Sequence, residues 1–112
     1  MKKVKRMAAQ GDVMFIRIQS IPTDAMPAEE KDKHFVVAHS ETGHNHVVES
    51  RNAQMLIDKT NEFIAYLDVS EETEVKHQRS FDTHESLLLS PGKYQIRRQR
   101  EYLPRGFRKV AD

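Results

Sequence analysis

The run His34-Phe35-Val36-Val37-Ala38-His39 is followed by Ser40-Glu41-Thr42-Gly43 and then by His44-Asn45-His46-Val47-Val48-Glu49. Two short β-branched and apolar runs on either side of a polar segment ending in glycine read as strand, tight turn, strand. Gly43 is free to take the positive φ that such a turn demands. The stretch therefore predicts a β-hairpin, and a β-hairpin carrying four of the chain's six histidines.

Working outward, the same kind of signal recurs at about ten-residue spacing. Asp12-Val13-Met14-Phe15-Ile16-Arg17-Ile18 reads as a strand with apolar residues on both faces, hence a well-buried one. Residues 20–33, with Pro22 and Pro27, read as a surface loop. Ala53 to Asp58 and Glu62 to Val69 are two further apolar runs joined by Lys59-Thr60-Asn61. The first also suits a helical turn, since Gln54, Met55 and Leu56 are good helix formers. The second alternates Phe63, Ala65 and Leu67 against Ile64, Tyr66 and Asp68, which favours a strand. Glu74 to Arg79 alternates around Val75 and His77, and Ser86 to Ser90 leads into the turn signal Pro91-Gly92. Lys93 to Tyr102 closes the series, with Tyr94 and Ile96 on one face. Seven or eight short strands and no helix of three turns predict an all-β fold, a small barrel or sandwich of the jelly-roll kind.

The 112 residues suffice for one domain and one core. No cysteine is present, which excludes disulfide frameworks, iron–sulfur clusters and thiol nucleophiles. With no Trp and eight other aromatics, the core must be mostly aliphatic. The basic start Met1 to Arg6 resembles the charged end of a signal peptide, but Ala8-Ala9-Gln10-Gly11-Asp12 interrupts any apolar run. No stretch approaches the ~20 apolar residues of a membrane span. A cytoplasmic protein with no membrane partner is the expectation.

A net charge of +1 conceals a strong asymmetry. Residues 1–10 carry four basic side chains and no acid, and residues 93–112 carry seven bases against two acids. The middle is correspondingly acidic. Arg97, Arg98 and Arg100, interleaved with Tyr94 and Tyr102, have the composition of a surface for nucleic acid or another anion. The same residues equally suit a last strand whose charges solvate the chain's end, with residues 103–112 as a basic tail. Basic ends beside an acidic body can also pair with it.

The histidines carry the sharper signal. His44 and His46 lie two apart in a predicted strand, so both imidazoles project from one face. Metal coordination needs several neutral imidazoles converging on a point, and this spacing supplies two. His39 lies across the predicted turn, while His77 and His84 come later, on a neighbouring strand and the loop after it. Three histidines, with or without Glu49, would leave open positions for water or substrate, and such a set suits Zn, Fe, Mn or Ni. A His-x-His pair is also common as surface decoration or in a hydrogen-bonding role. His34, at a strand start beside a charged loop, favours that plainer use.

Gly43, His44, His46, Glu49 and the later Pro91-Gly92 together resemble the motif pattern of small cupin-type barrels, over roughly residues 40–96. The resemblance implies a β-barrel with a metal-binding pocket. Here Glu49 follows His46 after two residues, where the family has three or four, and no histidine follows Pro91-Gly92. His77 or His84 would take that role, and in a regular strand Glu49 would face away from His46. Cupin-like domains serve enzymes, binding modules and storage proteins alike, so the likeness leaves catalysis open.

Phosphate-loop, dinucleotide and serine-elbow motifs are absent. Two readings follow. One is a barrel binding a divalent ion through His44, His46 and His77, with His39 or His84 next, acting on a small molecule if it catalyses at all. The other is a non-enzymatic module, oligomeric or part of an assembly, that presents its basic C-terminal strand to nucleic acid or an acidic partner.

Overall fold

The computed structural model describes residues 2–38, 45–77 and 86–98. Eleven strands occur among them: β1 (Lys2–Val4), β2 (Met7–Gln10), β3 (Val13–Ile18), β4 (Met26–Pro27), β5 (His34–Ala38), β6 (His46–Glu49), β7 (Ala53–Ile57), β8 (Ile64–Val69), β9 (Thr73–His77), β10 (Leu87–Leu89) and β11 (Gly92–Arg98). They form a five-stranded sheet in the order β1-β10-β9-β6-β5 and a six-stranded sheet in the order β2-β3-β11-β8-β7-β4. All pairings are antiparallel except β1 with β10. The all-β expectation holds, and the chain between Ala53 and Ile57 is a strand, so the helical alternative there is excluded. Gln54 and Leu56 are spent on the outer face while Ala53 and Met55 enter the core, a period of two that propensity alone does not reveal.

Three strands go beyond the eight runs read from sequence. Residues 1–10, read as a basic segment, contribute β1 and β2. Their inward positions are Val4, Ala8 and Gln10, too small or too polar to stand out as an apolar period. The third is the two-residue β4, which places Pro27 on an edge, where a missing N–H costs no ladder bond.

The two sheets pack on one apolar core. Val4, Phe35, Val48, Val75, Leu87 and Leu89 enter it from the five-stranded sheet. Val13, Phe15, Leu67, Val69, Tyr94 and Ile96 enter it from the six-stranded one. Phe15, Leu67, Leu89 and Tyr94 are wholly shielded from solvent. Burying each such side chain contributes roughly 1.5–3 kcal/mol. In β3 the expected burial of both faces is realised unequally: Val13 and Phe15 are buried, whereas Met14, Ile16 and Ile18 are half-buried on the outer face.

Two turns set the registers that matter below. Gly11 takes φ 64° at the first position of the two-residue turn joining β2 to β3, which locks Gln10 opposite Val13. Asp32 and Lys33 both take positive φ (53° and 66°) between Lys31 and His34, a tight reversal at the start of β5. Between β5 and β6 the ladder pairs Val36 with Val47 and Ala38 with His46, so β5 carries one extra residue there. Among the described residues no helix is long and apolar enough to cross a membrane.

Candidate functional site

His46 is fully buried. It shares the inner face of β6 with the core residue Val48, and its ring points between the sheets. A polar side chain in that position needs partners, because an unpaired buried polar group costs about 1–3 kcal/mol. The partner comes from the opposite sheet. Gln10, at the end of β2 and 3% exposed, brings its Oε1 to 2.8 Å from His46 Nδ1. The Gln10 Nε2 donates to the Val75 carbonyl of β9 at 3.1 Å. One amide thus ties β2 of the six-stranded sheet to β6 and β9 of the five-stranded one.

That arrangement determines the chemistry of the imidazole. A backbone carbonyl only accepts hydrogen bonds, so the Gln10 atom facing Val75 is the NH₂ group. The other amide atom, an oxygen, also only accepts, and His46 Nδ1 must be the donor. A neutral ring that carries its proton on Nδ1 has its lone pair on Nε2.

The other candidate residues divide by where they fall. His77 is the Cα partner of His46 in the β6–β9 ladder, so the two are direct neighbours in register. His39, His44 and His84 lie outside the described residues, as does Arg100. Among the described residues no group of three or more His, Asp or Glu side chains forms a metal-binding cluster. Glu49 stands on the outer face of β6, three residues from His46, and its Oε1 accepts from Arg51 Nε at 2.8 Å. Its carboxylate is held at the surface, away from the ring of His46, as the odd spacing requires. His34 is half-buried and donates from Nδ1 to the Asp32 carbonyl at 2.9 Å, a local turn contact.

Arg97 and Arg98 sit on opposite faces of β11. Arg98 follows Tyr94 and Ile96 in parity, donates to the Glu62 carbonyl at 3.1 Å and places its guanidinium 4.8 Å from the centre of the Phe63 ring. Arg97 lies on the outer face in register with Met14 and Ile64. The two do not form one basic row. At the other terminus, Lys3 meets Glu72 at 3.6 Å, an exposed pairing between a basic end and the acidic middle.

A cleft of about 670 Å³ opens where β5, β7, β8 and β11 approach the 58–63 turn. Val36, Ala38, Met55 and Ile96 contribute to its apolar wall, and Lys59 and Arg98 to its charged rim. Ala38 is the register partner of His46, so the wall of this cleft adjoins the buried ring by one strand spacing. The rim is braced by Asp58. Its Oδ1 accepts from the Thr60 amide (2.9 Å), the Thr60 hydroxyl (3.0 Å) and the Asn61 amide (2.9 Å), and Tyr66 donates to Oδ2 at 3.3 Å. These bonds, those from Thr60 foremost, hold the Asp58 carboxyl below its ordinary pKa.

Gln10 was not among the residues singled out from sequence. The one signal for it was its place immediately before Gly11-Asp12, where a turn fixes the register of the preceding strand.

A family model described as a domain of unknown function, DUF8820, matches residues 9–99. The chain belongs to that family. The match begins just before Gln10 and ends just after β11, so Gln10, His46 and the cleft all fall within the DUF8820 domain. Comparison with curated proteins and with solved structures gives no match.

Proposed function

We propose that this DUF8820 domain is a metal-binding β-sandwich that holds one divalent ion through His44 and His46, with His77 as the third ligand and His39 or His84 as the next candidates. The observation that carries the reading is the buried His46 ring, whose Nδ1 is engaged by an oriented amide from the facing sheet. Ligating histidines characteristically donate their second ring N–H to a fixed acceptor, which orients the ring and raises the basicity of the other nitrogen. His46 has that form, and its register neighbour is a second histidine. Glu49, committed to Arg51, is left out of the ligand set. A bound ion of the Zn, Fe, Mn or Ni group supplies Lewis acidity and lowers the pKa of its water. The adjoining cleft has room for a small-molecule ligand.

Elemental analysis of the purified protein tests the reading. One equivalent of metal is expected, lost in the His44→Ala/His46→Ala double variant. Because neutral imidazole is the ligating form, retention should weaken as pH falls below about 6.5. Absence of metal after purification and after incubation with each of the four ions, joined to salt-sensitive retention of DNA or RNA, would instead support a nucleic-acid-binding module.

A further inference from the structure

We propose that β2 is an open docking edge for a second copy of this chain, pairing antiparallel with the β2 of that copy about a two-fold axis at Ala8. Neither the metal centre nor the cleft enters into it. Among the described residues β2 lies at the end of the six-stranded sheet, with β3 as its one neighbour. The Arg6 carbonyl accepts from the Arg17 amide at 2.8 Å, and Gln10 faces Val13 across the two-residue turn. Hydrogen-bonded pairs alternate along an antiparallel ladder. Arg6, Ala8 and Gln10 therefore bond to β3, while Met7 and Ala9 turn their N–H and C=O groups away from it. The other three edges of the described sheets are blunted. In β4 the Ala28 amide bonds to the Met55 carbonyl, which leaves Pro27, without an N–H, at the outward position. β5 folds Lys31 back onto His34, and β1 carries lysines at two of its three positions. β2 has neither proline nor charge, and its Met7 is 56% exposed.

The edge is complementary to itself. With Ala8 opposite Ala8 of the second copy, Met7 of each chain lies opposite Ala9 of the other. The outward groups of those residues then make four backbone hydrogen bonds, where a register centred on Met7 or on Ala9 would make two within β2. Large faces small, since Met7 lies over Ala9 of the second copy. Their β3 partners Ile16 and Met14, half-buried on the same outer face, extend the contact into an apolar band across the joined sheet. Charge agrees with this orientation. The chain enters β2 through Lys5 and Arg6 and leaves it through Asp12, so antiparallel pairing sets each cationic end beside the acidic turn of the other copy. A parallel pairing would set cations against cations. So short an edge buries little surface, which makes the dimer a weak one, with a Kd of roughly 10–500 µM.

Sedimentation velocity of the full chain from roughly 5 µM to 1 mM, joined to amide exchange read by NMR at both ends of that range, tests the pairing. The expected result is a concentration-dependent shift from monomer to dimer, with exchange at Met7 and Ala9 slowed in the concentrated sample. Ala9→Pro removes an outward N–H that β3 does not use, so unfolding in dilute solution should move little while Kd rises by at least about tenfold. Met7→Lys leaves the backbone intact, should weaken the dimer likewise, and serves if Ala9→Pro does not fold. A wild type that stays monomeric throughout overturns the proposal. So does a dimer whose Kd stays within about twofold in either folded variant, which would place the contact elsewhere, as at the exposed Met26 and Ile57. A monomer whose Met7 and Ala9 amides slow only on addition of a blocked Glu-Val-Thr-Val-Glu peptide gives the edge to a foreign strand and overturns self-pairing.

Discussion

Two inward-facing polar side chains mark the two ends of the β2–β3 hairpin, and they are used in opposite ways. At one end, Gln10 is buried and spans the sheets to meet a histidine and a backbone carbonyl. At the other, Arg17 is exposed and folds back over the turn before β11. Its Nη1 donates to Ser90 Oγ (2.9 Å) and Tyr94 Oη (2.8 Å), and its Nη2 donates to the Pro91 carbonyl (2.6 Å). The Tyr94 hydroxyl in turn donates to the Ser90 carbonyl at 2.7 Å. Every group in the Arg17 cluster is spent on holding a turn beside solvent. The Gln10 pair sits where water cannot substitute, and its geometry selects one chemical form of an imidazole. The buried pair therefore ties the two sheets together through the core, while the exposed clamp ties one turn to its neighbouring strand.

The largest expected effect lies at the buried end. Gln10→Leu should cost about 2–4 kcal/mol in urea denaturation, since it strands both the His46 Nδ1–H and the Val75 carbonyl. A cost below 1 kcal/mol would erase the contrast between the two ends. Next comes Gly92→Ala. Gly92 takes φ 147°, and an added Cβ would lie 2.5 Å from Arg17 Nη2, so roughly 1–3 kcal/mol is expected from strain and a displaced guanidinium. The same substitution made in an Arg17→Met background should cost less, and equal costs in both backgrounds would show that the clamp does not press on the turn. Arg17→Met alone should cost about 1 kcal/mol, because its partners can turn to water, and should leave metal content unaltered.

The smallest effect concerns Asp58 at the cleft rim. Its folded-state pKa is depressed, chiefly by the hydrogen bonds from Thr60, so it contributes stability above the unfolded value near 3.8. That contribution disappears as pH falls through the lower folded value. Acid titration of the folded state should therefore show a decline in stability below about pH 4, and Asp58→Asn should flatten it.

Much of this architecture is legible without coordinates. The β5 and β6 runs, the alternation of β8 and the Pro91-Gly92 turn all announce strands, because side chains of a half-buried strand repeat every second residue, while the turn read at Ser40 to Gly43 lies outside the described residues. His46 was legible as a candidate for the same reason, and the odd spacing of Glu49 already placed it on the other face. Strands β1 and β2 were not legible, since Ala8 and Gln10 are inward residues that do not look apolar. Gln10 as the partner of His46 was beyond reach for a further reason: no local pattern relates residues so far apart.

What the sequence determined by itself is therefore the period of each strand, the absence of thiol chemistry and the set of imidazoles from which a site can be drawn. These follow from local geometry and composition, each readable within a few residues. Which strands became neighbours, and so which histidine faces which amide and which face of β11 each arginine takes, was decided by the packing of two sheets on one core. Register across a sheet and contact between sheets depend on how distant apolar faces exclude water together, and that is a property of the assembled chain.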